Sequence, residues 1–389
     1  MRDRDRQAPR GRGARAARRL AAATASAALC LGALAAPAGA VSGWRLDSLP
    51  PVAHAQSSAL TGVSCVSTTW CRAVGWEQRA NDEVVPLADG LRGGAWASSR
   101  VPASGSVGSA LEAVSCVSRQ LCMAVGYAGL QALVERWNGA TWSIERTPTM
   151  GGYWNELDAV SCPTATWCVG VGWHQGLTRD VPLVETWNGR AWSLATVPAT
   201  TGQDQLTGVS CTSRSFCAAV GFEGTQTLAL TSSGGRWTIV ASPSPAGADD
   251  VLNAVACASA TSCVAVGSTQ SSAPTNPESP LVESFDGTAW AVAVSPAVPA
   301  QGTLSGVDCT APEACVAVGA KQAAGSLTTT TFAARLHLGA WTVNGSPNVP
   351  GWLDDALVAV SCTTATSCEA VGSASTDSTL DAGIAETRS

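Results

Sequence analysis

Leu133-Val134-Glu135-Arg136-Trp137-Asn138-Gly139-Ala140-Thr141-Trp142, with a proline six residues on at Pro148, is the stretch that decides the fold. It reads as two short strands joined at Asn-Gly, a strong tight-turn signal. A near copy stands at Leu183-Val184-Glu185-Thr186-Trp187-Asn188-Gly189-Arg190-Ala191-Trp192, again followed by Pro198. The tryptophan–proline pair recurs at Trp96/Pro102, Trp237/Pro243, Trp290/Pro296 and Trp341/Pro347. A second pattern, Leu-x-(Ala/Gly)-Val-x-Cys-x5-Cys, precedes each of these. Its cysteines are Cys65/Cys71, Cys116/Cys122, Cys162/Cys168, Cys211/Cys217, Cys257/Cys263, Cys309/Cys315 and Cys362/Cys368, spaced 46 to 53 residues from copy to copy. Most copies continue as Ala-Val-Gly.

Seven cysteine copies are followed by six tryptophan copies, and the missing one lies at the other end of the chain, as Trp44 and Pro50. The chain stops at Ile384-Ala385-Glu386-Thr387-Arg388-Ser389, the first six positions of the ten-residue pattern, and Val41-Ser42-Gly43-Trp44 supplies the other four. The two ends therefore complete one repeat, split at its turn, which is the arithmetic of a ring. Each unit reads as four short strands without helical period: Leu-x-Ala-Val-x-Cys, the second cysteine through Ala-Val-Gly, Leu-Val-Glu-x-Trp, and Trp with its successors. Small residues fill the first two strands, where blades converge. Tryptophans fill the outer two, where blades diverge. The expected fold is all-β, a seven-bladed β-propeller of four-stranded antiparallel blades closed by the N-terminal strand. Its blades span about 60–102, 111–148, 157–198, 206–243, 252–296, 304–347, and 357–389 with 41–50.

Residues 1–40 are foreign to this pattern, with eight arginines, an apolar run from Ala21 to Ala36, and Pro37-Ala38-Gly39-Ala40. A basic segment, a short apolar core and a small-x-small ending predict a secretory signal peptide cleaved after Ala40, with general secretion favoured over the twin-arginine route. Cys30 leaves with it. The remainder carries 15 Lys+Arg against 27 Asp+Glu, a net charge of about −12. That acidity argues against nucleic acid and anionic membranes as partners. No second apolar span follows, so the expected product is exported, without a transmembrane segment, and monomeric.

The architecture resembles the secreted bacterial β-propellers of the sialidase-like, Asp-box superfamily. Ser284-Phe285-Asp286-Gly287-Thr288-Ala289-Trp290 comes nearest to an Asp-box, departing from it by one residue of spacing, and Asn138 or Asn188 replaces the aspartate in other copies. In that superfamily the turn is structural and lies away from the active face, so the resemblance implies a fold and no activity. A sialidase of this architecture needs an arginine cluster and a tyrosine nucleophile. This chain has two tyrosines, Tyr127 and Tyr153, and on the expected loop face chiefly Arg79 and Arg179.

Paired cysteines flanking a five-residue hairpin loop face one another across adjacent strands, at the roughly 4.5–5.5 Å Cα separation a disulfide accepts. Export and the absence of histidine partners favour seven intra-blade disulfides over metal or redox chemistry: Cys65–Cys71, Cys116–Cys122, Cys162–Cys168, Cys211–Cys217, Cys257–Cys263, Cys309–Cys315 and Cys362–Cys368. The repeated glutamates Glu135, Glu185, Glu283 and Glu386 stand one per blade at equal height, too far apart to cooperate, and are expected to be structural or solvated.

Function is sought where the copies differ. The loop between strands two and three is short in blades two and four, with 11 residues from the second cysteine to the strand-three leucine, against 15 to 18 elsewhere. Blade three therefore presents Trp173, His174, Arg179 and Asp180, and its entry loop adds Tyr153, Trp154, Asn155 and Glu156, with Asp158 on the first strand. Trp352 marks the entry to blade seven. Aromatics among carboxylates and amides suit a sugar, through ring stacking and hydroxyl hydrogen bonds. The expected function is a non-catalytic module that binds a glycan or an extracellular protein. The alternatives are a glycoside hydrolase or lyase using Glu156, Asp158 and Asp180, and a rigid cell-surface scaffold. His54, His174 and His337 share no context, so no histidine metal site and no cofactor are expected. Calcium has candidates only in Asp249-Asp250 and Asp354-Asp355, where solvated loop charge is the simpler reading.

Overall fold

The computed structural model describes residues 43–52, 55–102, 108–148, 153–245, 248–271, 278–298, 301–326, 328–376 and 381–389. The leader with Cys30, its cleavage after Ala40, and His54 lie outside the described residues. Every regular element described is a strand. Five consecutive sheets have four strands each in simple up-and-down order. Blade 1, for example, comprises Ala55–Ser67, Trp70–Arg79, Val84–Arg92 and Ala95–Ser98. Blade 6 repeats the order with Gln301–Ala311, Ala314–Gln322, Thr329–His337 and Ala340–Gly345. One parallel pairing, Thr329 with Asp354, joins it to blade 7.

Blade 7 is the split repeat: Asp354–Cys362, Cys368–Ser375 and Asp381–Arg388 are completed by Trp44–Leu46 from the other end of the chain. Trp44 stands opposite Arg388 and Leu46 opposite Glu386. This is the register of Trp142 with Trp137 and of Ile144 with Glu135 in blade 2. The turn that is covalent in the other blades is here open, and hydrogen bonding across the pair keeps the blade's outer edge from standing unpaired.

The repeat residues explain the packing. The leucine of each first strand is buried to within 1% of full enclosure, as at Leu60, Leu111, Leu157 and Leu357. It packs toward the preceding blade. Leu111 joins Trp70, Val74, Leu133 and Trp142 between blades 1 and 2, and Leu60 joins Trp96, Val371 and Ala385 between blades 1 and 7. Each of the seven core clusters is shared by two neighbouring blades, so the hydrophobic core is an annulus. The glycine of Ala-Val-Gly is required by close approach. A Cβ on Gly75, Gly126, Gly172, Gly221, Gly267, Gly319 or Gly372 would lie 1.9 to 2.1 Å from a first-strand carbonyl oxygen.

All seven expected disulfides form: Cys65–Cys71, Cys116–Cys122, Cys162–Cys168, Cys211–Cys217, Cys257–Cys263, Cys309–Cys315 and Cys362–Cys368. Two details of the expectation are corrected. The Cα atoms are 3.9 to 4.1 Å apart, closer than expected for plain facing strands. The first cysteine's N–H is directed away from its partner strand, which makes each pair the narrower, non-hydrogen-bonded kind. The second strand also starts one residue before Cys71, Cys122, Cys168, Cys217, Cys263 and Cys315, at Trp70, Leu121, Trp167, Phe216, Ser262 and Ala314. One further pair closes each of these hairpins beyond its disulfide, such as Ser118 with Leu121 and Ser213 with Phe216. Blade 7 alone opens its second strand at the cysteine itself, Cys368. Cys71, Cys122, Cys168, Cys217, Cys263, Cys315 and Cys368 are all buried between blades, which seats the bridges in the annular core.

Two features bind the innermost strands into a closed ring. The serine before the first cysteine accepts a hydrogen bond from the cysteine N–H of the next blade. Ser64 accepts from Cys116, Ser115 from Cys162, Ser161 from Cys211 and Ser210 from Cys257, each at 3.0 Å. Ser361 of blade 7 does the same for Cys65 of blade 1, carrying the ring across the chain ends. Ala256 breaks the series. Asp308 in the following blade takes over, accepting from its own Cys309 N–H at 2.8 Å and from Cys362 N–H at 2.7 Å. The second feature is a bulge in every first strand, immediately after the leucine. The bulged residues are Thr61, Glu112, Asp158, Thr207, Asn253, Ser305 and Val358, and they stand on the strands nearest the ring axis.

Candidate functional site

The bulge position has a structural job that some blades perform and others give up. Thr61 Oγ1 donates to Leu111 O at 2.7 Å, Thr207 Oγ1 donates to Leu252 O, and Asn253 Nδ2 donates to Leu304 O at 2.8 Å. In each case a side-chain donor ties one first strand to the next. Blades 2 and 3 place Glu112 and Asp158 here, carboxyl groups in place of the hydroxyl or amide donor. Glu112 faces Glu156 and Asp158 of blade 3, and its carboxyl pKa is raised well above the usual range, first by burial and then by those two charges. Among the described residues no hydrogen-bond donor reaches the Glu112 carboxyl. Asp158 Oδ2 accepts from Gln205 Nε2 of blade 4 at 2.6 Å. Gln205 and Glu156 occupy the same position of consecutive repeats, just before the leucine.

Aromatic rings stand beside these acids. Trp154, on the entry to blade 3, donates from Nε1 to Glu156 Oε2 at 3.2 Å, and its ring centroid lies 5.6 Å from that of Tyr127, tilted by 46°. The Tyr127 hydroxyl pKa is raised by burial and by the charges of Glu112 and Glu156. Trp173 lies directly opposite Glu156 in the blade 3 hairpin. Tyr153 is 43% exposed and Leu130 50% exposed, and both carbonyls accept from the Asn155 amide.

The remaining sequence candidates are placed differently. Asn155 is turned inward, only 2% exposed, with its amide donating to Tyr153 O and Leu130 O. Arg179 staples two loops, donating to Gly202 O at 2.7 Å, Asp204 Oδ2 at 2.9 Å and the Thr200 carbonyl. The Asp180 N–H donates to Gln203 Oε1, and His174 stands opposite Asn155, its ring pKa lowered by burial against the opposing pull of Asp180. Trp352 packs on the core between blades 6 and 7, away from this cluster. Asp354 and Asp355 accept from the Thr329 and Val349 backbone N–H groups, while Asp250 is fully buried. Among the described residues no three His, Cys, Asp or Glu side chains form a metal-holding group.

Glu112, Tyr127 and Gln205 belong to the cluster and were missed by a reading centred on loop lengths. Aligning the seven first strands position by position would have exposed Glu112, since only blades 2 and 3 carry acids at the bulge.

No family model and no curated protein matches the chain. Solved structures do. One described as YCF48 bound to D1 peptide is similar over 89% of this chain and 96% of its own, with a TM-score of 0.55 at 11% identity. An ulvan lyase of polysaccharide lyase family PL25, bound to -[GlcA(1-4)Rha3S]-, covers 83% of this chain and 93% of its own, with a TM-score of 0.56 at 8% identity. The GH74 xyloglucanase from Xanthomonas campestris is similar over 87% of this chain but 55% of its own length, with a TM-score of 0.53 at 14% identity. At such identities the similarity defines a propeller and nothing finer. Among the described residues no helix is long and apolar enough to cross a membrane.

Proposed function

We propose that this chain is an exported, non-catalytic glycan-binding propeller whose site lies at the inner end of blades 2 to 4. The observation that carries this reading is the exchange at the bulge. Two adjacent blades put carboxyl groups, Glu112 and Asp158, where Thr61, Thr207 and Asn253 supply a donor to the next blade, and they do so beside Tyr127 and Trp154. A repeat that departs from its own structural rule is where function is expected. Aromatic faces stack on sugar rings, and the carboxylate and amide groups of Glu156, Asp158 and Gln205 match hydroxyls. The polysaccharide-directed names of two of the fold neighbours agree with this reading. A hydrolytic reading keeps one support, since a carboxyl with a raised pKa beside two further carboxyls is an acid–base arrangement.

A polysaccharide panel, scored for retention and for released sugar together, tests the proposal. Retention without release is expected, and Trp154→Ala should weaken it about tenfold or more, the loss of one stacking surface. Sugar release that disappears in Glu112→Gln would replace the binding reading with the hydrolytic one.

A further inference from the structure

The cluster has a feature that a site for neutral hydroxyls does not need. Three carboxyl groups, Glu112, Glu156 and Asp158, are close enough for their charges to act on one another, and they converge from two blades. The same charges reach Tyr127, whose ring stands against Trp154. Of the two basic side chains that sequence reading assigned to this face, Arg79 bridges Glu77 and Glu83, and Arg179 is held by Gly202, Asp204 and the Thr200 carbonyl. Negative charge is thus gathered at the inner strands, and the Glu112 carboxyl has no donor among the described residues to answer it. The ordinary occupants of this position, a threonine or an asparagine, would have satisfied a backbone carbonyl instead.

A ligand that completes such a site supplies a cation and N–H donors together. Ammonium groups satisfy both demands. They are attracted by aromatic faces as well as by carboxylates. We infer that the ligand is an amino sugar with a free, protonated amine, such as a de-N-acetylated hexosamine oligomer, its ammonium held by Glu112, Glu156 and Asp158 and its ring set against Trp154 and Tyr127. This inference rests on the glycan-binding reading and narrows it. Because burial and like charges raise the Glu112 carboxyl pKa, entry of the ammonium should draw it back toward the ionised form and release protons.

Binding of a glucosamine oligomer and of the N-acetylglucosamine oligomer of equal length, measured by titration calorimetry on the mature oxidised chain, tests the inference. The free-amine oligomer is expected to bind at least about tenfold more tightly, with proton release visible as a dependence of the apparent heat on buffer ionisation enthalpy. The double substitution Glu156→Gln with Asp158→Asn should remove that preference. Glu112→Gln, which keeps the shape and adds a donor for Leu157 O, should abolish the proton release, and both variants must retain the parent's circular dichroism.

Equal binding of the two oligomers overturns the amino-sugar inference and leaves the glycan reading standing. So does retention on a neutral or anionic polysaccharide when neither oligomer binds. A preference that survives the double substitution places the cation elsewhere and overturns the site. Retention of oligolysine with no polysaccharide bound overturns both readings in favour of a basic protein partner. Binding of none of these probes overturns both as well.

Discussion

Glu112 is the residue at which fold and site pull in opposite directions. Its neighbours in the repeat, Thr61, Thr207 and Asn253, donate to the next blade's leucine carbonyl. Glu112 instead faces two further carboxylates. Replacing it with glutamine restores an amide donor at the position from which Thr61, Thr207 and Asn253 reach the next blade's leucine carbonyl. Glu112→Gln is therefore expected to raise stability by about 0.5–1.5 kcal/mol, the net worth of gaining one buried hydrogen bond. A urea midpoint shifted upward at unchanged slope would show it, and an unchanged or lower midpoint would mean that Glu112 is not held against the acids of blade 3. This residue also marks what sequence could and could not reveal. Trp142, Cys116 and Gly126 recur because each performs one packing task seven times over. Glu112 stands inside the same repeat, and its oddity appears only once Thr61 and Asn253 are seen reaching for a neighbour's backbone. Asn155 and Arg179 show the converse. Composition marks them as polar loop residues, but it does not say that both turn inward to hold loops.

At the scale of a strand, the third strands carry a buried acid in five blades: Asp89, Glu135, Glu185, Glu283 and Glu386, each 0–1% exposed. Their sequence period suggested structural or solvated groups, and the structure makes them structural. Each faces the preceding blade, as Glu283 does in accepting from Ser242 Oγ at 2.6 Å and Glu386 from Thr331 Oγ1 at 3.4 Å. Half-exposed apolar residues of the fourth strand, Ile144 opposite Glu135 and Leu194 opposite Glu185, screen them from water. Burial is the leading cause in every case and pushes Glu135, Glu185 and Glu386 up to about 8, Glu283 to about 7 and Asp89 to about 6. Glu369, bonded to Thr387, is pushed up to about 8 in the same way. These raised values fix the sign of the pH dependence. Folded chains keep these protons while unfolded chains release them above the ordinary carboxyl range, near pH 4–4.5. The stabilisation is therefore complete below that range and is lost as pH rises toward 8. Glu223 and Asp286, with lowered values, act in the opposite sense and lose their contribution only as pH falls below the ordinary range. Thermal melting should accordingly be highest near pH 5 and lower at pH 8.5 by at least about 5 °C. Glu135→Gln should flatten part of that slope, and a melting temperature that rises from pH 5 to 8.5 would contradict the account.

The whole molecule is one closed cycle of seven blade interfaces, and its weakest covalent point is the split blade. There the ring is carried by non-covalent contacts alone: Trp44 opposite Arg388, the Asp47 N–H donating to Ala385 O at 2.9 Å, and Asp47 accepting from both Thr387 Oγ1 and Trp96 Nε1. Asp47 thus clasps blade 7 to blade 1, while Ser361 and Cys65 do the same at the inner strands. This closure was legible because the broken repeat at Ser389 and the orphan tryptophan at position 44 add up to one unit, a sum that depends only on counting. Which loop face gathers charge was not legible, because it depends on how seven strands converge. Closure predicts a disproportionate effect of a small truncation. Starting the chain at Ser48 removes one short strand and the Asp47 clasp, leaves Asp381–Arg388 as an unpaired edge, and opens the core around Trp44, Val360 and Ile384. An open, partly apolar edge strand is a template for pairing with another chain. The truncated protein, with all seven disulfides intact, is expected to melt well below the parent and to elute from size exclusion as soluble aggregates. Trp44→Ala, which keeps the strand but empties its packing site, should cost about 3–5 kcal/mol and elute as the parent does. A truncated chain that stayed monomeric with the parent's melting temperature would mean that the ring is held by blades 1 to 6 alone, and that the strand from the other end of the chain is an ornament rather than the closure.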